Sequence, residues 1–210
     1  MKKIVAIVDY GLGNILSAKQ SFIKVISDNN IDAEVKITNN PKDVESSTHI
    51  VLPGQGAFKS CMNNLSKISG MISTLEDKVI KNKNLFLGIC IGMQLLADKS
   101  FENGEHKGLG WIKGEIKKIP YNNLKLPHMC WNEVKIVKKN PLVEMQEMND
   151  YYFVHSYYFE CFDSKNIIGT SNYGLEFTSF ISKENIYGVQ FHPEKSSKQG
   201  LNIIKNFLLQ

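Results

Sequence analysis

The chain has 210 residues, enough for one α/β domain with a substantial core. Hydrophobic residues at 42% and charged residues at 22% lie close to globular averages, which excludes wholesale disorder, and 15 glycines with 6 prolines exclude collagen-like and linker-like classes. The net charge of +4 is scattered rather than striped, and every basic residue is lysine, so the guanidinium fork that usually reads guanine edges is missing and a nucleic-acid reader is disfavoured.

Lys3 to Val8 is a β-branched run that reads as a buried strand. Asp9 follows only five apolar residues, too few for the core of a secretion signal. Asp9 to Asn14 is a glycine-containing turn, and helical periodicity follows to about Ser27. Asp32 to Thr38 alternates like a strand, and His49 to Leu52 is a short apolar strand that stops at Pro53-Gly54. Helical stretches are predicted at Ala57–Leu65 and Met71–Lys81. Leu85 to Leu87 is another buried strand, Gly88 to Gly92 a tight turn, and Met93 to Asp98 the opening of a helix. This first half reads as βαβ units with a parallel sheet.

From about Leu109 the character changes to short alternating segments. Lys113–Ile119, Glu133–Val137, Tyr151–Val154, Ile167–Thr170, Phe177–Ser182 and Ile186–Gln190 read as mostly antiparallel strands at the edge of that sheet or beside it. Ser197–Leu209 closes the chain with a helix. No repeat or low-complexity linker interrupts it, so residues 1–210 read as one domain. The longest apolar stretch, Leu85–Met93, is far short of the roughly 18 residues of a membrane helix. A cytoplasmic protein without membrane contact is expected.

Cys61, Cys90, Cys130 and Cys161 form no closely spaced pair, so neither a metal site nor a disulfide framework is expected. Cys61 and Cys161 read as core or surface thiols, and His49 as structural. Cys90 differs. Gly88-Ile89-Cys90-Ile91-Gly92 follows a buried strand and precedes a helix, which is the pattern of a nucleophile elbow with cysteine in the nucleophile's place. A helix N-terminus aimed at the sulfur favours thiolate, and the Ile91 N–H is available to an oxyanion. Phe191-His192-Pro193-Glu194 follows another strand. Two residues apart in extended chain, His192 and Glu194 emerge on one side, so the carboxylate can orient the imidazole as a base for a thiol. Pro53-Gly54-Gln55-Gly56 follows a third strand and can turn backbone N–H groups toward developing negative charge. Strand C-terminal ends are where open α/β sheets gather their sites.

PGQGAF, GICIGMQLL and GVQFHPEKS, in this order and spacing, resemble the class I (triad) glutamine amidotransferases over essentially the whole chain. Asp9–Asn14, Gly108–Trp111, Pro127–Glu133 and Tyr152–Tyr158 narrow the similarity to glutaminase subunits of bacterial imidazole glycerol phosphate synthases. The resemblance implies a flavodoxin-like, three-layer α/β fold: an open, mixed, mostly parallel sheet with helices on both faces. It implies that Cys90 attacks the glutamine carboxamide, that His192 moves the proton and that Glu194 orients His192. Gly54, Gln55 and Ile91 would form the oxyanion hole, and Gly56, Gln94, His155, Ser156 and Tyr157 the glutamine pocket. No cofactor is implied. The ammonia would pass to a (β/α)8-barrel cyclase, giving imidazole glycerol phosphate and aminoimidazole carboxamide ribonucleotide. The partner face would hold Asn14, Trp131, Asn132, Tyr152 and Lys195. Cys130 departs from the pattern, which has glycine there; a positive φ at that position would cost a Cβ-bearing residue about 1 kcal/mol. Three other readings stay open: the same chemistry serving a sugar-amidating synthase, a catalytically silent regulatory subunit, and a cysteine-peptidase or chaperone-like relative.

Overall fold

The computed structural model describes residues 2–120, 124–145 and 149–210. In chain order its strands are β1 (Lys3–Val8), β2 (Ala33–Thr38), β3 (His49–Leu52), β4 (Leu85–Ile89), β5 (Lys99–Ser100), β6 (His106–Lys107), β7 (Gly114–Lys118), β8 (His128–Ile136), β9 (Asn149–His155), β10 (Tyr157–Cys161), β11 (Ile167–Asn172), β12 (Glu176–Lys183) and β13 (Ile186–Val189). The helices are α1 (Ile15–Asp28), α2 (Pro41–Glu45), α3 (Phe58–Lys67), α4 (Met71–Leu75), α5 (Ile91–Gln94) and α6 (Ser197–Leu209), with a π-helical turn, Glu76–Lys81, continuing α4.

The body of the sheet is parallel, in the order β2-β1-β3-β4-β13. Apolar runs such as HIVL in β3 are buried throughout, as strands covered on both faces must be. The chain steps one way from β1 to β2 and the other way from β2 to β3 and β4. Right-handed crossovers therefore put α1 on one face and α2, α3 and α4 on the other. α6 returns to pack against α1. The sheet continues through β12, β10 and β7, each antiparallel to its neighbour, and ends in β5 and β6. A hairpin of β8 and β9 branches off through β11.

The structure departs from the sequence expectations in four places. First, β13 was grouped with the antiparallel strands but lies in the middle of the sheet, parallel to β4 and antiparallel to β12. Second, the helix expected over Met93–Asp98 is the single turn α5. The carbonyls of Leu95, Leu96, Ala97 and Asp98 instead accept from Leu109, Ile112, Gly110 and Gly108, so they are not available to continue a helix. Third, β8 begins at His128 rather than Glu133, because its exposed first half lacks an apolar alternation and is held by pairing with β9. Fourth, β10 was not among the expected strands. Cys130 lies in extended backbone opposite Phe153 and is absent from the positive-φ residues, so the strain considered for it does not arise.

His49 is structural as expected. It is buried, its ring meets Phe207 edge-on at 5.2 Å, and burial lowers its pKa to about 4. The unfolded histidine takes its proton near pH 6.5, so this burial contributes stability that is full above that pH and is lost as pH falls toward 4. The thermal midpoint should therefore fall steadily between pH 6.5 and 4, and His49→Leu should make that slope shallower. An identical slope in the variant would show that His49 does not contribute to it.

Candidate active site

β4 and β13 are parallel neighbours, with Val189 opposite Ile89. Their C-terminal ends therefore bring Cys90 and His192 together although they are 102 positions apart in the chain. At the end of β4 the backbone turns sharply: Cys90 sits at φ 54°, ψ −109°, a region side-chain-bearing residues rarely adopt. The flanking glycines allow it. A Cβ on Gly92 would collide with the Leu52 carbonyl of β3, and one on Gly88 with the Gly92 carbonyl. The Cys90 N–H donates to Val189 O at 2.8 Å, anchoring the elbow to β13.

His192 lies beside Cys90 on one side, both lining the same pocket. On the other, its Nδ1 lies 2.8 Å from Glu194 Oε1, and both side chains are buried. Burial alone would lower the His192 pKa, but the adjacent Cys90 and Glu194 outweigh it and hold it up at about 10. The imidazole is therefore protonated at neutral pH. Because α5 is one turn long, little helix dipole reaches the sulfur, and the charge beside Cys90 comes from His192. Ser196 fixes the loop: its hydroxyl donates to His192 O at 2.6 Å and accepts from Tyr152 N at 3.0 Å.

A pocket of about 250 Å³, suited to a small metabolite, opens over Cys90. Gln55, Gly56, Ile91, Gln94, His155, Ser156, Tyr157, His192 and Lys195 all line it. Gly54 lies beneath its wall, where a Cβ would strike the Tyr10 hydroxyl and touch Ile91. That hydroxyl donates to Pro53 O at 2.7 Å, and Cys61 Sγ, fully buried, lies 3.8 Å from Gln55 O, so two carbonyls of this turn are held. Gln94 Nε2 donates to Tyr157 O and to Gln190 Oε1, each at 2.9 Å. Its Oε1 is buried without a partner and is left as an acceptor for a ligand.

Sequence reasoning missed Glu102, Pro127 and Val154 in the pocket lining and Gln190 beneath it, whose amide lies 3.7 Å from Cys90 Sγ. Gln190 had a signal, since it directly precedes Phe191-His192; Glu102, in the polar stretch Glu102–Lys107, had none. Its carboxylate accepts from Phe58 N at 2.6 Å and brings negative charge to the pocket.

Of the residues expected at a partner face, Lys195 lines the pocket, and Tyr152 and Trp131 adjoin it. Trp131 is 48% exposed and meets Tyr152 at 6.2 Å, and Lys195 Nζ lies 5.8 Å from the same ring. Asn14 caps α1 by accepting from Ser17 N at 3.4 Å. Among the described residues no group of three His, Cys, Asp or Glu side chains is placed to hold a metal ion, and no helix is long and apolar enough to cross a membrane.

The sequence is 46% identical over 207 residues to the imidazole glycerol phosphate synthase subunit HisH of Pelagibacter ubique, covering 97% of this chain and 98% of that one. It is 47% identical over 209 residues to the imidazole glycerol phosphate synthase subunit HisH 2 of Methanococcus maripaludis, covering 99% and 100%. Among solved structures, a glutamine amidotransferase superposes with a TM-score of 0.73 at 14% identity, over 98% of this chain and 97% of that one, which establishes the shared fold. The family model for class-I glutamine amidotransferases matches residues 7–210. With the elbow cysteine, its histidine and its carboxylate all in place at the ends of neighbouring strands, the chain belongs to the class I glutamine amidotransferases.

Proposed function

We propose that the chain, acting in the cytoplasm as one domain over residues 1–210, is the glutaminase subunit of an imidazole glycerol phosphate synthase. It hydrolyses L-glutamine to L-glutamate and passes the ammonia to a (β/α)8-barrel cyclase in a heterodimer, for histidine biosynthesis. The observation that carries this reading is the buried Cys90–His192–Glu194 arrangement under a pocket whose walls hold a free acceptor, Gln94 Oε1, and a carboxylate, Glu102.

In this reading the Cys90 sulfur attacks the carboxamide carbon. The Ile91 N–H and the Gly54–Gln55 turn stabilise the oxyanion. His192 gives its proton to the departing ammonia, which leaves a thioester on Cys90. His192, now neutral, takes a proton from water as that water attacks the thioester carbon. Glutamate leaves, and the sulfur is restored. Glu194 keeps the imidazole in one tautomer and supports its charge. Gln94 Oε1 and the Glu102 carboxylate suit the α-ammonium end of glutamine.

The test is to mix the chain with a histidine-pathway cyclase and its nucleotide substrate and follow both products. Glutamate and imidazole glycerol phosphate should form in equal amounts. Glutamate release without the imidazole product would show that another synthase receives the ammonia. Trp131→Ala should weaken association with the cyclase by about 2 kcal/mol, the size expected of an aromatic interface anchor, with the fold of the free chain retained. Unchanged binding in a titration would remove Trp131 from the interface.

A further inference from the structure

From the pocket wall a line of side chains, His155 and His128 buried and Asn132 partly exposed, runs outward, and nothing in the triad chemistry uses it. His155 Nδ1 is 2.8 Å from Tyr157 O, so this nitrogen must carry the hydrogen and donate it. His155 Nε2, 2.9 Å from His128 Nδ1, is then an acceptor, and His128 Nδ1 must be the donor. His128 Nε2 is left as an acceptor and receives from Asn132 Nδ2 at 3.2 Å. The amide of Asn132 is oriented independently by two backbone groups. Its Nδ2 donates to Asn172 O at 2.9 Å and its Oδ1 accepts from Glu133 N at 2.8 Å.

The two ends therefore assign the same direction without reference to each other. Burial lowers the pKa of both rings, His128 to about 4 and His155 to about 3, so neither can satisfy two acceptors by taking a second proton near neutral pH. The His128 ring is held by stacking on Tyr173 at 4.1 Å and on Phe153 at 5.0 Å. The line ends on the Tyr157 carbonyl, which also receives the Gln94 amide. It begins at Asn132 on β8, beside exposed Trp131.

We propose that His128 is a positioning residue for glutamine hydrolysis: with Asn132 it fixes the tautomer of His155, and through it the Tyr157–Gln94 wall of the pocket. Reversing His128 alone would set two lone pairs against each other at the His128–His155 contact and an N–H against the Asn132 amide; reversing His155 alone would set two N–H groups against each other there and turn a bare nitrogen toward Tyr157 O. The wall would then lose one of its two donors. The line thus runs in one fixed sense from the expected partner face to the substrate pocket. This inference rests on the glutaminase reading only for its kinetic consequence.

The experiment has two arms. In the first, the free chain labelled with ¹⁵N-histidine is examined by NMR at pH 7. His128 and His155 should both be neutral Nδ1–H tautomers, and an Nε2–H form of either ring overturns the proposal whatever the chain's activity. In the second, His128→Phe keeps a ring between Tyr173 and Phe153 but removes both hydrogen bonds, whereas His128→Asn can retain the donor toward His155. In the complex with the cyclase, His128→Phe should raise the KM for glutamine about tenfold, the scale of one lost buried hydrogen bond, with kcat little changed. His155 should then show mixed tautomers, and His128→Asn should recover most of the loss. A folded His128→Phe with unchanged KM and a single His155 tautomer would reduce His128 to a packing residue. Absence of glutamine hydrolysis by the wild-type complex would instead count against the glutaminase reading, leaving the tautomer result to stand or fall separately.

Discussion

Replacing Cys90 with alanine or serine should reduce glutamine-dependent activity of the complex by at least about 10⁴-fold, the scale seen when a covalent nucleophile is removed. Alanine offers no nucleophile. Serine offers a hydroxyl far less acidic than a thiol, and so a much weaker nucleophile in this place. Activity supported by added ammonium salt should survive, because that chemistry belongs to the partner. The strained backbone at Cys90 is held by Gly88, Gly92 and the Cys90–Val189 hydrogen bond rather than by the sulfur, so the variants should fold. Cys161→Ser, on β10, is the matched control and should hydrolyse glutamine at the normal rate. Assay of glutamate release alongside ammonium-dependent turnover separates the two activities. Retained glutamine hydrolysis in Cys90→Ala would overturn the mechanism.

His192→Ala should lower the glutaminase rate by about 10³–10⁴-fold, since it removes both the proton carrier and the positive charge beside the sulfur. Glu194→Gln should cost less, about 10–100-fold, because a neutral amide can still bond to the ring but no longer supports its charge. The sign of the accompanying pH effect follows from the folded-state pKa of about 10. A raised histidine pKa contributes stability that is complete below the unfolded value near 6.5 and is lost as pH rises toward 10. Glu194→Gln should lower the His192 pKa and move that loss to lower pH. NMR titration of His192 in the wild type and the variant reads this directly. Equal rates and equal titration in both would remove Glu194 from the catalytic arrangement.

The parts of this protein legible in the sequence are those whose cause is local. Apolar runs at β1, β3 and β4 read as buried strands because side chains covered on both faces leave no alternation. Gly88 and Gly92 bracket Cys90 because the elbow tolerates no Cβ at either place, and that requirement shows as a pattern of glycines. Pro193 keeps His192 extended, as the sequence suggested, but Pro193–Lys195 is a 3-10 turn rather than extended chain, and it is from this turn that Glu194 makes the expected 2.8 Å contact with His192. The resemblance carried over the remaining pocket positions, and most of them do line the cavity.

What only the tertiary structure decided depends on hydrogen bonds between distant segments. No periodicity reveals that β13 pairs in parallel with β4, yet that register is what sets His192 beside Cys90. The early end of α5 was equally hidden, because Leu95 to Asp98 has helical composition and loses its helix only when residues 108–112 claim its carbonyls. The first half of β8 is a strand because β9 pairs with it, not because its own side chains alternate. Glu102 reaches the pocket only by capping the N–H of Phe58, 44 residues earlier in the chain. The direction of the Asn132–His128–His155 line needs all three side chains and two backbone groups in place at once. Local sterics are written residue by residue in a sequence; the pairing of strands and the sense of a buried hydrogen-bond chain exist only once the chain has closed on itself.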